Sequence, residues 1–458
     1  MTINWVDQGQ PRTAFEDALE NNYSGGIKPG LKVITELLRQ LGDPHLGLPV
    51  IHIAGTNGKG SVSAMLERCL REAGFRTGMY TSPHMISYNE RFRVNGEMIS
   101  DETLLALLEE IDRASVKTEE VAGKRPTIFE ALTAMAFLWF SREKVEALVL
   151  ETGMGGRFDA TNVIPSPLLT IITSVSMDHE AFLGDTLAKI AGEKAGIIKA
   201  GVPLITASEN PEAFDVIRRE FDAVQSGAAS SALPPALFVR VGEVCTWETA
   251  SLGLSGQTVD LKTPTRSYGS IHLPMPGQYQ CANLACVALA WELLSVLGPE
   301  RLTEEALRKG LSSLRWPCRL EQVQEKPAVV LDGSHNPDGL RQLAVWLSQH
   351  KPNYEQIILV MGMVEDKDRL SAARQLDGLV SRVIITKPLT ARAGNWQELA
   401  KGFQGISQDK VEFIEDCHQA LKTAVGFAGE NDLVLCTGSF YLVGELRKNW
   451  ADRELFSI

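Results

Sequence analysis

Paired cysteines are what this chain most plainly lacks. Its seven thiols (Cys69, Cys245, Cys281, Cys286, Cys318, Cys417 and Cys436) are odd in number, scattered, and never spaced C-x-x-C. Neither a disulfide framework nor a thiolate zinc site is indicated, and a reducing compartment is expected. No leader is expected either: Met1 to Arg12 carries Trp5, Asp7 and Gln8 where an export signal would place basic residues before an apolar run. No apolar stretch in the sequence approaches the roughly 20 residues that span a bilayer. The expectation is a cytoplasmic chain with no membrane partner.

Positive charge is also scarce. Lys and Arg number 45 against 57 Asp and Glu, a net charge of −12, which disfavours nucleic-acid binding because phosphate backbones are held by clustered cations. A local basic pocket remains open to Arg91, Arg93, Arg157 and Arg319, each beside a Gly-, His- or Asn-containing motif. No period of 20 to 50 residues recurs, which argues against a solenoid or propeller. No oligomerisation pattern is visible either, so a monomer is expected.

What is present is an α/β alternation. With 458 residues the chain is long enough for two or three domains. Leu48 to Ala54 reads as a strand that runs through a Gly-rich loop into a helix at Ser61 to Ala73. Strands are expected at Ala147 to Leu150, Leu168 to Thr173 and Pro203 to Thr206, with helices at Thr127 to Arg142 and Leu187 to Ile198 between them. That order predicts a mostly parallel sheet. From Pro211 to Pro276 the pattern loosens and reads as peripheral β structure, with a flexible loop at Ser226 to Pro235. After Trp316 the alternation resumes as a second, smaller α/β domain, giving expected bounds of 1–314, a linker at 315–325, and 326–458.

The polar motifs fall where those strands end. Gly55, Thr56, Asn57, Gly58, Lys59, Gly60 and Ser61 join strand to helix, where backbone N–H groups and a lysine can cradle phosphate. The match to G-x-x-x-x-G-K-[ST] is imperfect: Ile53 stands at the first glycine and Gly60 separates Lys59 from Ser61. Ser82 follows a second strand, Glu151 a third, and Asp178 and His179 a fourth. A carboxylate above a nucleotide loop suits Mg2+, which prefers carboxylate and phosphate oxygens. Lys194 lies on a helix pointing to the same rim. Asn283, Arg319, Asp332 and His335 cluster near the domain junction, a favoured place for a ligand gripped from both sides.

Taken in order, GTNGKGS at Gly55, SPH and YNERFRVNG between Ser82 and Gly96, TIFE at Thr127, ETGMGGRFDATN at Glu151, SMDH at Ser176, GEKAGIIK at Gly192, GQYQCAN at Gly277, DGSHNP at Asp332 and TGSFYLVGE at Thr437 resemble the folylpolyglutamate and dihydrofolate synthase family of the Mur-ligase superfamily. The resemblance covers nearly the whole chain. It implies a P-loop ATPase domain and a Rossmann-like C-terminal domain that add L-glutamate to folate or dihydropteroate at the expense of ATP. It further implies that Asn57, Gly58, Lys59, Gly60, Ser61, Asn283, Arg319 and Asp332 bind ATP. Ser82, Glu151 and His179 would hold two Mg2+ ions, with Lys194 as a carbamate. Thr127, Phe129, Glu130, Phe158 and Asp159 would meet the pterin, and His335 and Ser439 the glutamate. The phosphate-loop rule alone would put Mg2+ on Ser61; the resemblance prefers Ser82.

The chemistry explains this set. A carboxylate is a poor electrophile, so the ligase first phosphorylates it, a step of positioning and charge neutralisation by Lys59 and metal. The glutamate amine then attacks, with His335 either accepting its proton or positioning substrate. Two rivals stand beside this reading: a Mur-type ligase of peptidoglycan precursors, which shares the phosphate loop, and a P-loop NTPase module that turns over ATP without forming an amide.

Overall fold

The structure is a computed structural model that describes residues 13–450 apart from 25, 27–29, 228–235 and 298–299. Residues 1–12, on which the expectation of no leader rests, and 228–235 of the expected loop lie outside the described residues.

The first lobe is built on eight strands: β1 (Val50–Ala54), β2 (Thr77–Tyr80), β3 (Phe92–Val94), β4 (Glu97–Met98), β5 (Ala147–Glu151), β6 (Leu169–Ile172), β7 (Leu204–Thr206) and β8 (Phe238–Arg240). Their order is β4-β3-β2-β5-β1-β6-β7-β8. From β2 to β8 all pairings are parallel, and the β2–β3–β4 edge is antiparallel. Every residue of β1 and β5 is buried, as expected for parallel strands covered on both faces. Alternate residues feed two cores. Ile51, Ile53 and Val149 pack with the helix Lys59–Glu72, while Val50, Leu148 and Leu150 pack with the helix Ile128–Arg142.

The stretch from Pro211 to Pro276 is only partly β. Pro211–Gly227 is a helix with Ala213, Ile217 and Phe221 buried; it reads poorly because this one narrow stripe lies among charged residues. The expected β structure follows as an antiparallel sheet of β9 (Thr246–Gly253), β10 (Gly256–Lys262) and β11 (Ser267–Leu273).

One helix, Tyr279–Leu297, carries an 18-residue window long and apolar enough to cross a membrane, contrary to the sequence reading of no such stretch. Its apolarity has another cause. Cys281, Leu284, Ala285, Val287, Ala288 and Trp291 are fully or almost fully buried in the first core, and a helix apolar all round is a core helix as readily as a spanning one.

The second lobe has the order β12-β13-β17-β14-β15-β16, from β12 (Glu321–Glu325), β13 (Ala328–Leu331), β14 (Ile357–Met361), β15 (Arg382–Ile385), β16 (Val411–Phe413) and β17 (Leu433–Thr437). Only β12 is antiparallel. It falls within the segment 315–325 expected to be linker, so the connection is shorter than expected. An antiparallel edge strand with residues such as Glu321, Gln322, Gln324 and Glu325 carries the composition of a loop.

His418 and Glu445 join two helices of this lobe at 3.2 Å. The hydrogen bond to Glu445 raises the imidazole above its ordinary value. Stability from a raised His is fully present below the unfolded value near 6.5 and is lost as pH rises through the folded value. The expected outcome for His418→Gln is therefore a loss of stability on the order of 2 kcal/mol at pH 5.5 to 6, seen as a lower Tm, and a smaller loss at pH 8.5 to 9. Thermal unfolding of both proteins across that range is the measurement; an equal loss at both ends contradicts it.

Candidate functional site

In the first sheet β2, β5, β1 and β6 are neighbours and end on one edge, so Ser82, Glu151, the loop after Ala54, and Asp178 with His179 arrive side by side. Ligands in open α/β sheets bind at this carboxyl edge. The loop is held on the end of β6: Thr56 N–H donates to the Ser174 carbonyl at 2.7 Å and the Thr173 hydroxyl to the Asn57 carbonyl at 2.7 Å. Two glycines make this path possible. A Cβ on Gly55 (φ +152°) would lie 1.8 Å from Thr173 Oγ1, and one on Gly58 (φ +89°), the N-cap of Lys59–Glu72, 2.4 Å from Asn283 Oδ1.

Two ammonium groups converge on this loop. Lys59 Nζ donates to the carbonyls of Gly55 (3.1 Å) and Thr56 (3.2 Å), and Lys194 Nζ donates to that of Gly55 at 2.8 Å. Lys194 is 3% exposed; burial, and then the charge of Lys59, pulls its ammonium down to about 7. Its helix end is fastened from outside. Arg157 N–H donates to the Glu193 carbonyl (2.7 Å) and the Asn162 amide to that of Gly196 (3.0 Å).

Glu151, also buried, accepts from the Ser82 backbone N–H at 3.3 Å and makes no ion pair among the described residues. Burial pushes its carboxyl up to about 7, against the pull of Lys59. His179 takes a left-handed backbone (φ +53°) at the start of a short helix, and burial lowers its imidazole to about 4.

The second lobe supplies the opposite wall. Asp332 ends β13 and is fixed by the N–H groups of Leu320 (3.1 Å) and Ser334 (3.0 Å). His335 Nδ1 lies 2.9 Å from the Gly333 carbonyl, and a carbonyl only accepts, so Nδ1 carries the proton and Nε2 the lone pair. Burial, and then the charge of Lys367, lowers this imidazole to about 4. The Arg319 guanidinium lies 4.4 Å from the centre of the Phe440 ring, a stacking that favours Arg over Lys. Asn283 donates to Gln280 Oε1 at 2.8 Å, and Gln280 donates to Ser61 Oγ at 3.4 Å.

All thirteen of Asn57, Gly58, Lys59, Gly60, Ser61, Ser82, Glu151, His179, Lys194, Asn283, Arg319, Asp332 and His335 line one cleft of about 570 Å3. The remaining six expected residues are not among its lining. Thr127 and Glu130 spend their side chains on each other as a capping box at the start of Ile128–Arg142. Asp159 is buried and receives Met154 N–H, Thr161 N–H and the Thr161 hydroxyl. Ser439 caps the helix Phe440–Arg447. Phe129 lies under Gly153, where a Cβ would meet its ring at 2.3 Å, and Gly153 itself is cleft wall. Phe158 is 49% exposed. Sequence reasoning placed Asn336 in the rim motif without a role of its own and passed over Asp338 and Lys367, although the rule that strand ends carry the site would have reached both, which follow β13 and β14.

The descriptions "Mur ligase middle domain" and "Mur ligase, glutamate ligase domain" match residues 53–291 and 318–440. The chain is 38% identical over 441 residues to the dihydrofolate synthase/folylpolyglutamate synthase of Bacillus subtilis, covering 95% of this chain and 99% of that protein. The Mycobacterium tuberculosis folylpolyglutamate synthase complexed with ADP superposes with a TM-score of 0.85 at 30% identity, over 95% of this chain and 97% of the other. Escherichia coli FolC in complex with DHPP and ADP gives 0.81 at 28% identity, over 94% and 95%.

The close approach at Gly55 leads to an expected outcome. Gly55→Ala must shift Thr173, which braces the loop, or hold alanine at a φ that costs about 1–3 kcal/mol. Nucleotide affinity measured by calorimetry with ADP should fall by about tenfold or more while the far-ultraviolet circular dichroism is kept. Unchanged ADP affinity would show that the loop geometry does not set binding.

Proposed function

This chain belongs to the folylpolyglutamate/dihydrofolate synthase family of Mur ligases, and from that premise we propose that it joins the amine of L-glutamate to a carboxylate of folate or dihydropteroate through an acyl phosphate, consuming ATP and releasing ADP and phosphate. The observation that carries this reading is the meeting, in one cleft, of the Lys59 loop and Glu151 from one lobe with Asp332 and His335 from the other. An NTPase without a second substrate has no need of that second wall.

The donor set fits Mg2+. Among the described residues no three His, Cys, Asp or Glu side chains are grouped to hold a metal by themselves. Mg2+ does not require this, since it takes one or two carboxylates and completes its shell with water and substrate phosphates. Glu151, a buried carboxylate with no ion pair among the described residues, is the natural anchor, with the Ser82 N–H on it and His179 lining the same cleft. When bound, the metal supplies charge neutralisation at the polyphosphate.

The residues of the chain do the rest. Loop N–H groups and Lys59 hold the phosphates in line with the acceptor carboxylate, and Lys59 neutralises the charge that gathers on the transferred group. Arg319, Asp332 and Asn283 orient the nucleotide from the junction. Lys194, pulled down to about 7, spends a large fraction of its time at neutral pH as the free amine, the form that takes up CO2. A carbamate there would exchange a cation for an anion beside Glu151 and His179. His335, neutral and with its Nε2 lone pair free, can accept a hydrogen bond from the glutamate ammonium and hold the amine in place; lowered to about 4, it is a weak base for the proton itself. The two lobes shut water away from the acyl phosphate, which would otherwise hydrolyse.

The direct test uses purified protein, ATP, Mg2+ and labelled glutamate, with dihydropteroate or tetrahydrofolate as acceptor. ATP-dependent transfer of label to at least one acceptor is expected; ATP turnover with no labelled pterin would leave the NTPase rival standing. In the same assay Lys59→Ala should lose roughly two orders of magnitude in turnover, and near-normal turnover would remove Lys59 from the chemistry. For Lys194, a carbamate adduct seen spectroscopically with labelled bicarbonate is expected, growing as pH rises through about 7. Full activity of Lys194→Ala would contradict its role.

A further inference from the structure

The second lobe reaches the phosphate loop and the end of β6 through side chains to which the ligation chemistry gives no task. Asn57 donates to Asp338 at 2.9 Å and accepts from Asn336 at 3.0 Å. Asn336 also donates to Asp178 Oδ2 at 3.2 Å. The other oxygen of Asp178 is held at 2.6 Å by Lys367 Nζ, from the loop after β14. That ammonium also lies 3.5 Å from His179 Nε2. His179 Nε2 also stands 3.8 Å from Asp178 Oδ2, so the ammonium, the carboxylate and the ring form one cluster.

The Lys367–Asp178 pair is nearly dry, with side chains 7% and 9% exposed. A buried ion pair of this kind is poor evidence for stability, because an apolar pair of the same volume often does as well. What it does set is a geometry. Here it specifies where the second lobe stands relative to the end of β6. The neighbouring contacts from Asn57 to Asn336 and Asp338 are polar too, as is common between domains that move relative to one another, while Met85, Leu254 and Tyr279 of the first lobe pack on the cores of the second.

We propose that Lys367 is a positioning residue of the ligation reaction: by gripping Asp178 across the cleft it couples closure of the second lobe to the placement of His179 at the phosphate end. This rests on the ligase reading above. Lys367 acts through Asp178 and His179 and does not itself touch the reacting atoms. Its loss is therefore felt most by the substrate whose wall the second lobe supplies.

The test is steady-state kinetics of the full chain with saturating ATP, Mg2+ and pterin acceptor while glutamate is varied. Lys367→Met keeps the stem and removes the charge; it should raise the glutamate KM by roughly tenfold and leave ADP affinity within about threefold of wild type by calorimetry. Lys367→Arg, which can reach the same carboxylate, should recover most of the loss. Asp178→Asn combined with Lys367→Met should be no worse than the poorer single variant, because both remove one interaction. A glutamate KM for Lys367→Met within about twofold of wild type, or multiplied effects in the double variant, overturns the inference. Thermal unfolding checks each protein, and Lys367→Gln serves if the Met variant does not fold. A wild-type protein that transfers no glutamate at all removes the ligase reading and this inference with it; an active wild type beside an indifferent Lys367→Met removes the inference alone.

Discussion

Parallel pairing obliges neighbouring strands to end on the same edge of a sheet, and both lobes of this protein are organised by that constraint. In the first sheet β2, β5, β1 and β6 are consecutive in space though not in sequence. A hydroxyl, a carboxylate, a glycine loop and an Asp-His pair, drawn from positions more than 120 residues apart, therefore share one rim. In the second, β13, β17 and β14 do the same for Asp332 to Asp338, Ser439 and Lys367. Setting two such edges face to face creates a cleft walled by strand ends and by the helices that bring Lys194, Asn283 and Asp338 to it.

The electrostatics of the cleft follow from its depth. Lys194 and Glu151 carry opposite charges in water, yet burial moves them toward each other on the pH scale until both titrate at about 7. The two histidines move the other way, to about 4, and stay neutral. Near neutral pH the site therefore holds groups that can switch state beside groups that cannot. A neutral imidazole with a defined lone pair accepts a hydrogen bond, and a lysine that is partly free amine can be modified. None of these properties belongs to a residue type; each comes from what the fold packs around it.

Much of this was legible without coordinates. The central strands and their helices could be read because parallel strands buried on both faces are unbroken apolar runs, and the polar motifs that follow them mark one rim. The illegible parts have physical reasons of their own. Pro211–Gly227 shows only a narrow stripe among charges, β12 is an edge strand with a loop's composition, and Tyr279–Leu297 is apolar enough to suggest a bilayer while sitting in a core. Thr127, Glu130 and Asp159 look like ligand residues because polar side chains flank glycine and aromatic positions. In the structure their oxygens also make local caps and turns, a detail set by backbone path and not by residue type.

By itself the sequence determined the class of fold, the order of its central strands along the chain, the glycine loop that follows β1, and the family to which the motifs belong. These are local properties, carried by apolar runs, glycines at a turn and short motifs. Tertiary structure alone decided which strand ends become neighbours, that Lys59 and Lys194 share the Gly55 carbonyl, and that Lys367 meets Asp178. Those pairings join residues 135 to 189 positions apart. No local pattern encodes such a distance; it is set by strand order, and only the packed sheet defines it.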